Sequence, residues 1–502
     1  MKKINLLRLI SFVGIFISVA SCTDLNEEIL DSTDIKSADP DAILNSAYNG
    51  LRSFQNQDGS YALSEVSTDA LIVPTRGGDW DDGGAWREDH LHTWNASSRE
   101  GNASWNNLLS SVNNCDIALS ISGISPNKKA QALFLKAYFY YNVIDLFGKA
   151  PYRPAGSSPE DFPLVWNSTE ALNNIISWLE EALPNIPARN SNDPSIANKD
   201  AVHFLLAKCY LNKAVFIDSD RIGPFAHSAS DMTKVIENVD AITNTLANDY
   251  WDNFKPSNNT SPELILTSKN ILGVALGNVR SRWYMGAHYN QRPGGWNGFS
   301  VLGDYYDSFN PNDRRIFNND SSIISAFGNP WGMQIGQQFA TDGTPLNDRN
   351  GNPLVFTKEI TITTGGATLE TAGIRPQKYI PDNSNIDRPE NDYVLMRYAD
   401  ALLMKAEAIL RGGVGSLGTI QTDLSSRNGI TTPIDLSSLN GVYVARGQEL
   451  WAEGWRRNDM IRFGTYLDAR PTKPLSENKR VLMPIPSAAL SNPNLTQNLG
   501  YN

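Results

Sequence analysis

One stretch of the chain constrains the fold more than any other. Residues 127–148 read NKKAQALFLKAYFYYNVIDLFG, a run with helical periodicity that ends at a glycine. Its aromatic side chains surround the helix axis instead of lying on one face: Phe134, Tyr138, Phe139, Tyr140, Tyr141 and Phe147. A helix that is apolar on most sides has to be buried, so other elements must pack around it. The chain therefore needs a multi-helix body with this segment inside it.

Further helices are predicted on both sides of this segment. The first begins at Asp39-Pro40, where an N-cap residue precedes a proline at the first helical position. The others are predicted at about 102–121, 168–184, 199–217, 228–248, 392–411, 417–428 and 443–463. Helix pairs of about 35–45 residues, with alanines where neighbours would touch, are typical of helical hairpins stacked side by side. We predict a mainly α fold, built as a degenerate tetratricopeptide-like array.

Two regions have a different character. Residues 59–101 and 250–390 are rich in glycine and aromatic residues and show no sustained periodicity, which predicts loops and short helices. Within the second region, residues 342–363 predict a turn-rich hairpin with alternating strand residues. The predicted domain, 39–502, then has a helical body over about 39–58, 102–248 and 392–464, loop-rich parts over about 59–101 and 250–390, and an extended tail over 480–502.

The first 22 residues predict an exported protein. A basic start is followed by an apolar run of about a dozen residues, which is typical of a secretory signal and too short to span a membrane. The run ends at Val19-Ala20-Ser21-Cys22, which resembles a bacterial lipobox. That resemblance implies a signal peptide over 1–21, a lipid on Cys22 and an acidic tether over 22–38. Ordinary signal cleavage beside an incidental cysteine is the alternative.

The charge balance argues against a nucleic-acid partner. Asp and Glu number 54 and Lys and Arg 43, which gives a formal charge of −11. Three of the basic residues, Lys2, Lys3 and Arg8, belong to the leader, so the remaining chain is more acidic still. Nucleic-acid binding requires basic patches, and we expect none here.

Motifs of enzymes and metal sites are weak or absent in the sequence. It contains no HExxH, GxSxG, Walker or Rossmann glycine pattern, so we expect no catalytic residues. His90 and His92 lack a nearby carboxylate and third ligand, so we expect no metal site there. An EF-hand loop starting at Asp79 would need glutamate at its twelfth position, which is His90. An irregular calcium site at Asp79, Asp81 and Asp82 stays open, and no cofactor is predicted.

Tryptophans in the loop-rich regions are the strongest sign of a binding site. Aromatic side chains on loops stack against sugar rings or anchor a partner protein, and neighbouring polar groups can bind hydroxyls. The alternative is that these side chains attach the loops to the helical body. The candidate ligand-binding residues are Asp69, Arg76, Asp79, Trp80, Trp86, Trp94, Trp283, Tyr284, Trp296, Asn297 and Trp331.

Several segments, taken in order along the chain, resemble the SusD/RagB family of nutrient-uptake lipoproteins of the Bacteroidetes outer membrane. The most specific are AYFYY at 137–141 with DLFGKAP at 145–151, and MRYADALLMKAEA at 396–408. AYNGL at 47–51, the loop at 64–94, RRNDMIRFG at 456–464 and the tail from MPIP at 483–486 also match.

The resemblance implies a fold and a role. The fold would be four tetratricopeptide-like units with a loop-rich, minor-β region that carries the ligand surface. The protein would sit on the cell surface, capture oligosaccharides without catalysis, and pass them to a TonB-dependent barrel of the SusC type. Arg76, Asp79, Trp80 and Trp86 occupy the region that usually contributes to binding.

Two other functions stay open at this point. One is a peptide-capturing or purely protein-binding lid, in which the tryptophans would be buried. The other is an anchored glycosidase, which would need two carboxylates facing each other across a cleft.

Overall fold

Helices are the main regular structure in the computed structural model, which describes residues 39–154, 157–158, 160–430 and 433–501. Cys22, the predicted signal peptide and the predicted tether lie outside the described residues. The helices are α1 Pro40–Asn49, α2 Gly59–Glu65, α3 Ala85–Leu91, α4 Arg99–Ser120, α5 Pro126–Phe147, α6 Ser168–Ala182, α7 Lys199–Ile217, α8 Ala229–Asp240, α9 Ser281–Tyr284, α10 Gly303–Asp307, α11 Ser321–Phe327, α12 Tyr398–Leu410, α13 Ile420–Arg427, α14 Leu439–Glu449 and α15 Arg456–Phe463. The predicted mainly α fold is confirmed.

The longer helices pack in a line. Each contacts the next in the order α1, α4, α5, α6, α7, α8, α12 and α14, which makes four successive pairs. In such an array each pair buries its apolar surface against its neighbours instead of around one central point. No helix in the described part of the chain is both long enough and apolar enough to cross a membrane.

Helix α5 lies inside this array, as its sequence predicts. Ser125 caps its N-terminus by accepting a hydrogen bond from the backbone of Lys128, and Pro126 occupies the first helical position. Gly148 ends the helix with φ of 69°, a left-handed conformation that glycine adopts without strain. Its aromatic side chains are all buried. Burying each large apolar side chain contributes about 1.5–3 kcal/mol, so this helix anchors the core.

The sheets are small, and several of them join distant parts of the chain. The strands are β1 Leu71–Ile72, β2 Thr75–Arg76, β3 Lys149–Tyr152, β4 Leu164–Asn167, β5 Leu264–Ser268, β6 Ser300–Val301, β7 Phe317–Asn318, β8 Trp331–Gln334, β9 Gly336–Gln337, β10 Val355–Phe356, β11 Thr363–Thr364, β12 Arg375–Pro376 and β13 Tyr393–Arg397. The antiparallel pairs are β1–β6, β3–β4, β5–β13 and β9–β10; β2 and β11 are parallel, and β7–β8–β12 form a three-stranded sheet.

The structure differs from the predicted elements in four places. The helix predicted over 228–248 ends at Asp240. Residues 59–101 are not one loop but contain α2, α3 and the start of α4. The helix predicted over 392–411 begins only at Tyr398, because the preceding residues pair with β5 and are buried. The helix predicted over 443–463 is divided into α14 and α15, where Ala452 and Gly454 have positive φ.

The predicted hairpin over 342–363 is confirmed in its turn and shorter in its strands. Asn347 pairs with Pro353 around the Asp348–Gly351 turn, Phe339 pairs with Pro345 around a second turn, and β9 pairs with β10 outside both.

Candidate functional site

A cleft of about 570 Å³ lies in the loop-rich part of the molecule. We call it the aromatic cleft. Its walls come from the loop after β2, the loop after α9, the start of α4 and the turn of the hairpin between β9 and β10. It is lined by Gln57, Asp58, Asp79, Trp80, Asp82, Trp86, Arg99, Tyr289, Trp296 and Arg349.

Two short strand pairs bring the main walls together. Leu71 of β1 lies opposite Val301 of β6, so the segments that follow β1 and precede β6 are neighbours. Strand β2 then pairs with β11, which fixes the start of the loop that carries Trp80. The two walls are more than 200 residues apart in sequence, and these pairings bring them together.

Trp80 is held in place by its backbone and by its ring. Its φ is 60°, a left-handed conformation that is uncommon for a bulky residue. Its Nε1 donates a hydrogen bond to the carbonyl oxygen of Trp296 at 2.8 Å. The ring lies against Gly298, where a Cβ atom would come within 2.3 Å of the indole. Trp80 is half-buried, so the rest of its ring is available to a ligand.

Trp296 forms the second aromatic wall. Its ring stacks on Tyr284, with centroids 5.4 Å apart and planes 21° from parallel. The next residue, Asn297, has φ of 51° and accepts hydrogen bonds from the guanidinium of Arg375 at 2.9 and 3.1 Å. Because Arg375 is completely buried, it fixes the backbone beside Trp296. Trp296 is half-buried like Trp80, so the two indoles form the sides of one cleft.

Trp86 forms the floor. It is buried, and its Nε1 donates to Asp82 at 2.6 Å. Its ring centroid is 5.6 Å from that of Trp80, and the guanidinium of Arg99 lies 4.8 Å above the Trp86 ring. The floor is therefore an aromatic surface with one carboxylate and one guanidinium at its edge.

Tyr289 and Arg349 form the opposite rim. The Tyr289 hydroxyl donates to Asp79 at 3.2 Å, and burial together with that carboxylate raises the pKa of Tyr289. The Arg349 guanidinium lies 3.9 Å above the Tyr289 ring and donates through Nε to Glu370 at 2.5 Å. Glu370 also contacts His288 at 2.8 Å. Burial would raise the pKa of Glu370, but hydrogen bonds from Arg349 and His288 hold it below its usual value.

Four of the candidate residues line the cleft: Asp79, Trp80, Trp86 and Trp296. Tyr284 lies behind Trp296 and supports it. The structure does not bring Trp94, Trp283 and Trp331 to the cleft; all three are buried in other parts of the molecule. Trp94 donates to the Tyr501 hydroxyl at 2.7 Å, and Trp331 donates to the carbonyl oxygen of Tyr379 at 2.9 Å. These three side chains attach loops to the body, as the alternative reading of the tryptophans predicts.

Three candidate polar residues do not line the cleft, because their side chains bind other residues of the protein. Asp69 forms a bidentate ion pair with Arg456, both contacts 2.7 Å. Arg76 is buried and donates to Ser300 Oγ at 3.0 Å and to the carbonyl oxygen of Ala372 at 2.9 Å. Asn297 binds Arg375, as described above. Each of them positions the cleft or the core, and none lines the cleft.

The residues considered for metals have other partners. His90 and His92 are buried and contact the backbone carbonyls of Val66 and Ser67. Burial lowers the pKa of His90 to about 4 and that of His92 well below its usual value. Asp81 pairs with Arg87, while Asp82 contacts Trp86 and Arg99. No group of three potential metal ligands occurs among the residues that the structure describes.

Sequence reasoning missed six lining residues: Gln57, Asp58, Asp82 as a contact residue, Arg99, Tyr289 and Arg349. Tyr289 lies in the same aromatic-rich segment as Trp283 and Trp296, so local composition could have indicated it. Arg349 occupies the turn of a predicted hairpin, and nothing in the sequence places that turn beside Trp80.

Fold and site together define a class of protein: a helical-hairpin array that carries a loop-built aromatic cleft. Two family models match the chain in order. Residues 24–211 match the model described as "Starch-binding associating with outer membrane", and residues 243–471 match the model described as "SusD family".

Individual relatives show the same likeness. The chain is 25% identical over 420 residues to the starch-binding protein SusD of Bacteroides thetaiotaomicron, which covers 74% of this chain and 73% of that protein. It is 22% identical over 437 residues to the SusD-like protein P25 of Formosa agariphila, which covers 82% and 74%. The chain belongs to the SusD/RagB family.

Solved structures share the fold. A laminarin-binding SusD-like protein superposes with a TM-score of 0.68 at 18% identity, over 92% of this chain and 99% of that chain. The surface glycan-binding protein A of Bacteroides thetaiotaomicron, in complex with laminarihexaose, gives a TM-score of 0.65 at 18% identity, over 91% and 98%. At such identities the similarity establishes the architecture only.

Proposed function

We propose that this protein captures oligosaccharides at the cell surface by non-catalytic binding in the aromatic cleft. The observation that carries the proposal is the pair of half-exposed indoles, Trp80 and Trp296, joined by a hydrogen bond and fixed from behind. Rigid aromatic faces suit the apolar faces of sugar rings, and they require little ordering on binding. Relatives whose names describe starch and laminarin binding support the same class of ligand.

The polar residues of the cleft complement the rings. The carboxylates of Asp58 and Asp79 and the amide of Gln57 lie beside the indoles and can bind sugar hydroxyls. Each stacking contact is modest, so several sugar units bound at once are needed for useful affinity. An oligosaccharide should therefore bind more tightly than its monosaccharide.

The cellular setting follows from the family and from the first residues of the chain. We propose that Cys22 is lipidated after removal of residues 1–21, and that 22–38 tethers the single domain 39–502 to the outer membrane. We further propose a TonB-dependent barrel as the partner that imports the captured glycan. Incorporation of a labelled fatty acid into the wild type, and its loss in Cys22→Ala, would test the anchor, while co-purification would test the partner.

The binding experiment uses the mature chain from Thr23 to Asn502 and a panel of oligosaccharides, titrated by calorimetry. We expect Trp80→Ala and Trp296→Ala each to lower the affinity for the glycan at least tenfold, which is about 1.4 kcal/mol of binding free energy. Trp178→Ala is the matched control, because Trp178 is also half-buried but lies on α6, outside the cleft. Its variant should bind like the wild type.

Three results would contradict the proposal. Equal losses in the Trp178 variant and the cleft variants would show that the cleft is not the site. Peptide binding without glycan binding would favour the peptide-capturing alternative. Shortened oligosaccharides after incubation would indicate a glycosidase, and Asp79→Asn would then be compared for loss of cleavage.

A further inference from the structure

If the proposed function holds, the charged side chains of the aromatic cleft limit which class of glycan can bind there. Three carboxylates line it, those of Asp58, Asp79 and Asp82, against the two guanidiniums of Arg99 and Arg349. An acidic sugar would need a cation that is free to receive its carboxylate or sulfate. Whether the two arginines are free therefore decides the class of ligand.

Arg99 is already engaged by acidic neighbours. Its Nε donates to Glu100 at 2.6 Å, and its NH1 lies 3.3 Å from Asp82. Glu100 is buried, so its carboxylate cannot turn out into solvent and release the arginine. Burial would lower the pKa of Arg99, but these two carboxylates raise it above its usual value. The charge of Arg99 is thus balanced within the protein.

Arg349 is engaged in the same manner. Its Nε donates to the buried Glu370 at 2.5 Å, and its NH2 lies 3.8 Å from Asp79. Its guanidinium also covers the Tyr289 ring at 3.9 Å. The side chain is exposed, yet its planar group is held between an aromatic face and two carboxylates.

Asp58 adds a negative charge without compensation. Within the described part of the chain it forms no ion pair. Its carboxylate lies in the same cleft as those of Asp79 and Asp82. Charges interact over about 8 Å at physiological salt, so a ligand anion bound within that distance of these carboxylates is repelled.

We infer that the aromatic cleft selects uncharged oligosaccharides and rejects glycans that carry uronic acid or sulfate groups. The acids accept hydrogen bonds from neutral sugar hydroxyls and repel anionic substituents. The paired arginines hold the aromatic rings and acids in position and leave no free cation for an anionic sugar. The acidic side chains are thereby the determinants of specificity, and the indoles supply the affinity.

The test compares neutral polysaccharides (starch, laminarin, xylan, mannan) with anionic ones (polygalacturonate, alginate, a sulfated galactan), using the mature chain. We expect every ligand whose binding depends on Trp80 to be neutral. Its dissociation constant should change less than about twofold between 20 and 500 mM NaCl, because an uncharged ligand makes no charge–charge interaction that salt could screen. Anionic polysaccharides should bind at least about tenfold more weakly.

Charge-neutralised variants locate the effect. Asp58→Asn with Asp82→Asn should increase binding of an anionic polysaccharide at low salt by about threefold or more. The matched control, Asp304→Asn with Glu359→Gln, removes two exposed acids that do not line the aromatic cleft and should leave that binding unchanged.

The outcomes separate this inference from the proposed function. Salt-sensitive, Trp80-dependent binding of an anionic glycan would overturn the inference and leave the capture function standing. An equal gain in both double variants, or no gain in either, would also overturn it, since the cleft acids would not be the cause. If no polysaccharide binds, the proposed function fails and the inference fails with it.

Discussion

Single residues in and beside the aromatic cleft adopt backbone conformations that few side chains tolerate. Trp80, Asp82 and Asn297 all have positive φ, between 43° and 60°. Such a conformation costs a non-glycine residue about 1–3 kcal/mol, so surrounding contacts must offset it. The hydrogen bond from Trp80 to Trp296 and those from Arg375 to Asn297 do so. Strain held in this way fixes the two indoles before any ligand arrives.

Gly298 gives the sharpest prediction at this scale. Gly298→Ala would place a Cβ atom 2.3 Å from the Trp80 ring, so the indole would have to move away from its position. We expect oligosaccharide affinity to fall about tenfold, with a loss of stability of about 1–3 kcal/mol. Calorimetric titration and denaturant unfolding would measure the two effects.

Gly78→Ala is the matched control for that experiment. Gly78 is close to Trp80 in sequence, and a Cβ there would have no atom within 4 Å. The Gly78→Ala variant should bind the oligosaccharide with the same affinity as the wild type. Unchanged affinity in the Gly298 variant would mean that the position of the Trp80 ring does not matter for binding.

At the scale of elements, buried ion pairs connect strands to helices. Arg397, the last residue of β13, contacts Glu449 at 2.6 Å, Glu453 at 2.7 Å and Glu263 at 2.8 Å. All four side chains are at most 4% exposed. Burial would raise the pKa of Glu449, but the guanidiniums of Arg427, Arg397 and Arg315 hold it well below its usual value. This cluster joins the end of β13 to the residue before β5 and to the C-terminal end of α14 with the segment after it.

Removing the guanidinium of Arg397 should strongly lower the stability of the protein. Arg397→Ala leaves three buried carboxylates short of a partner, and we expect it to lower the free energy of unfolding by about 3–5 kcal/mol. Lys129→Ala breaks an exposed ion pair with Glu181 and should cost at most about 1 kcal/mol. Urea unfolding of both variants would check this; similar small losses in the two would rule out a structural role for the cluster.

At the scale of the whole molecule, buried groups link the loop-rich part to the last helices. Glu65 of α2 accepts a hydrogen bond at 2.6 Å from the backbone of Gly454, which lies between α14 and α15. Its second oxygen has no hydrogen-bond partner in the described structure. Burial raises the pKa of Glu65 from 4.5 to about 8. The folded protein therefore keeps a proton there at pH values where the unfolded chain has lost it.

This linkage predicts a pH dependence with a definite sign. Because the folded pKa lies above the unfolded one, the contribution of Glu65 to stability falls as pH rises from 4.5 to about 8 and is constant beyond. Glu65→Gln keeps the acceptor for Gly454 and cannot ionise. Relative to the wild type, it should gain on the order of 3 kcal/mol of stability between pH 5 and pH 8.5. Parallel denaturation at both pH values would measure it, and a pH-independent difference would refute the raised pKa.

The helical body was largely predictable because its signals are local. The predicted helix over 199–217 coincides with α7, and that over 127–148 differs from α5 by one residue at each end. Caps, prolines and helical periodicity act within a few residues, so they can be read from the chain itself. The strand before α12 was missed because its residues also fit a helix, and pairing with β5 decides between the two.

The sequence predicted that the candidate site is rich in tryptophan, but it did not predict which individual residues line the cleft. Trp80, Trp86 and Trp296 line the cleft, whereas Trp94, Trp283 and Trp331 have the same local character and are buried away from it. A tryptophan is exposed or buried according to what packs against it, and that depends on contacts between segments hundreds of residues apart. Arg349 and Tyr289 were missed for the same reason.

The sequence by itself determined that the chain has a helical body with loop-rich segments and that it is acidic and rich in aromatic residues, since each of these properties is local or additive. The tertiary structure alone decided which rings face the cleft, which acids lie beside them, and which arginines are already paired. Those are properties of long-range packing, where strand pairings such as β1–β6 and buried groups such as Arg375 fix the geometry.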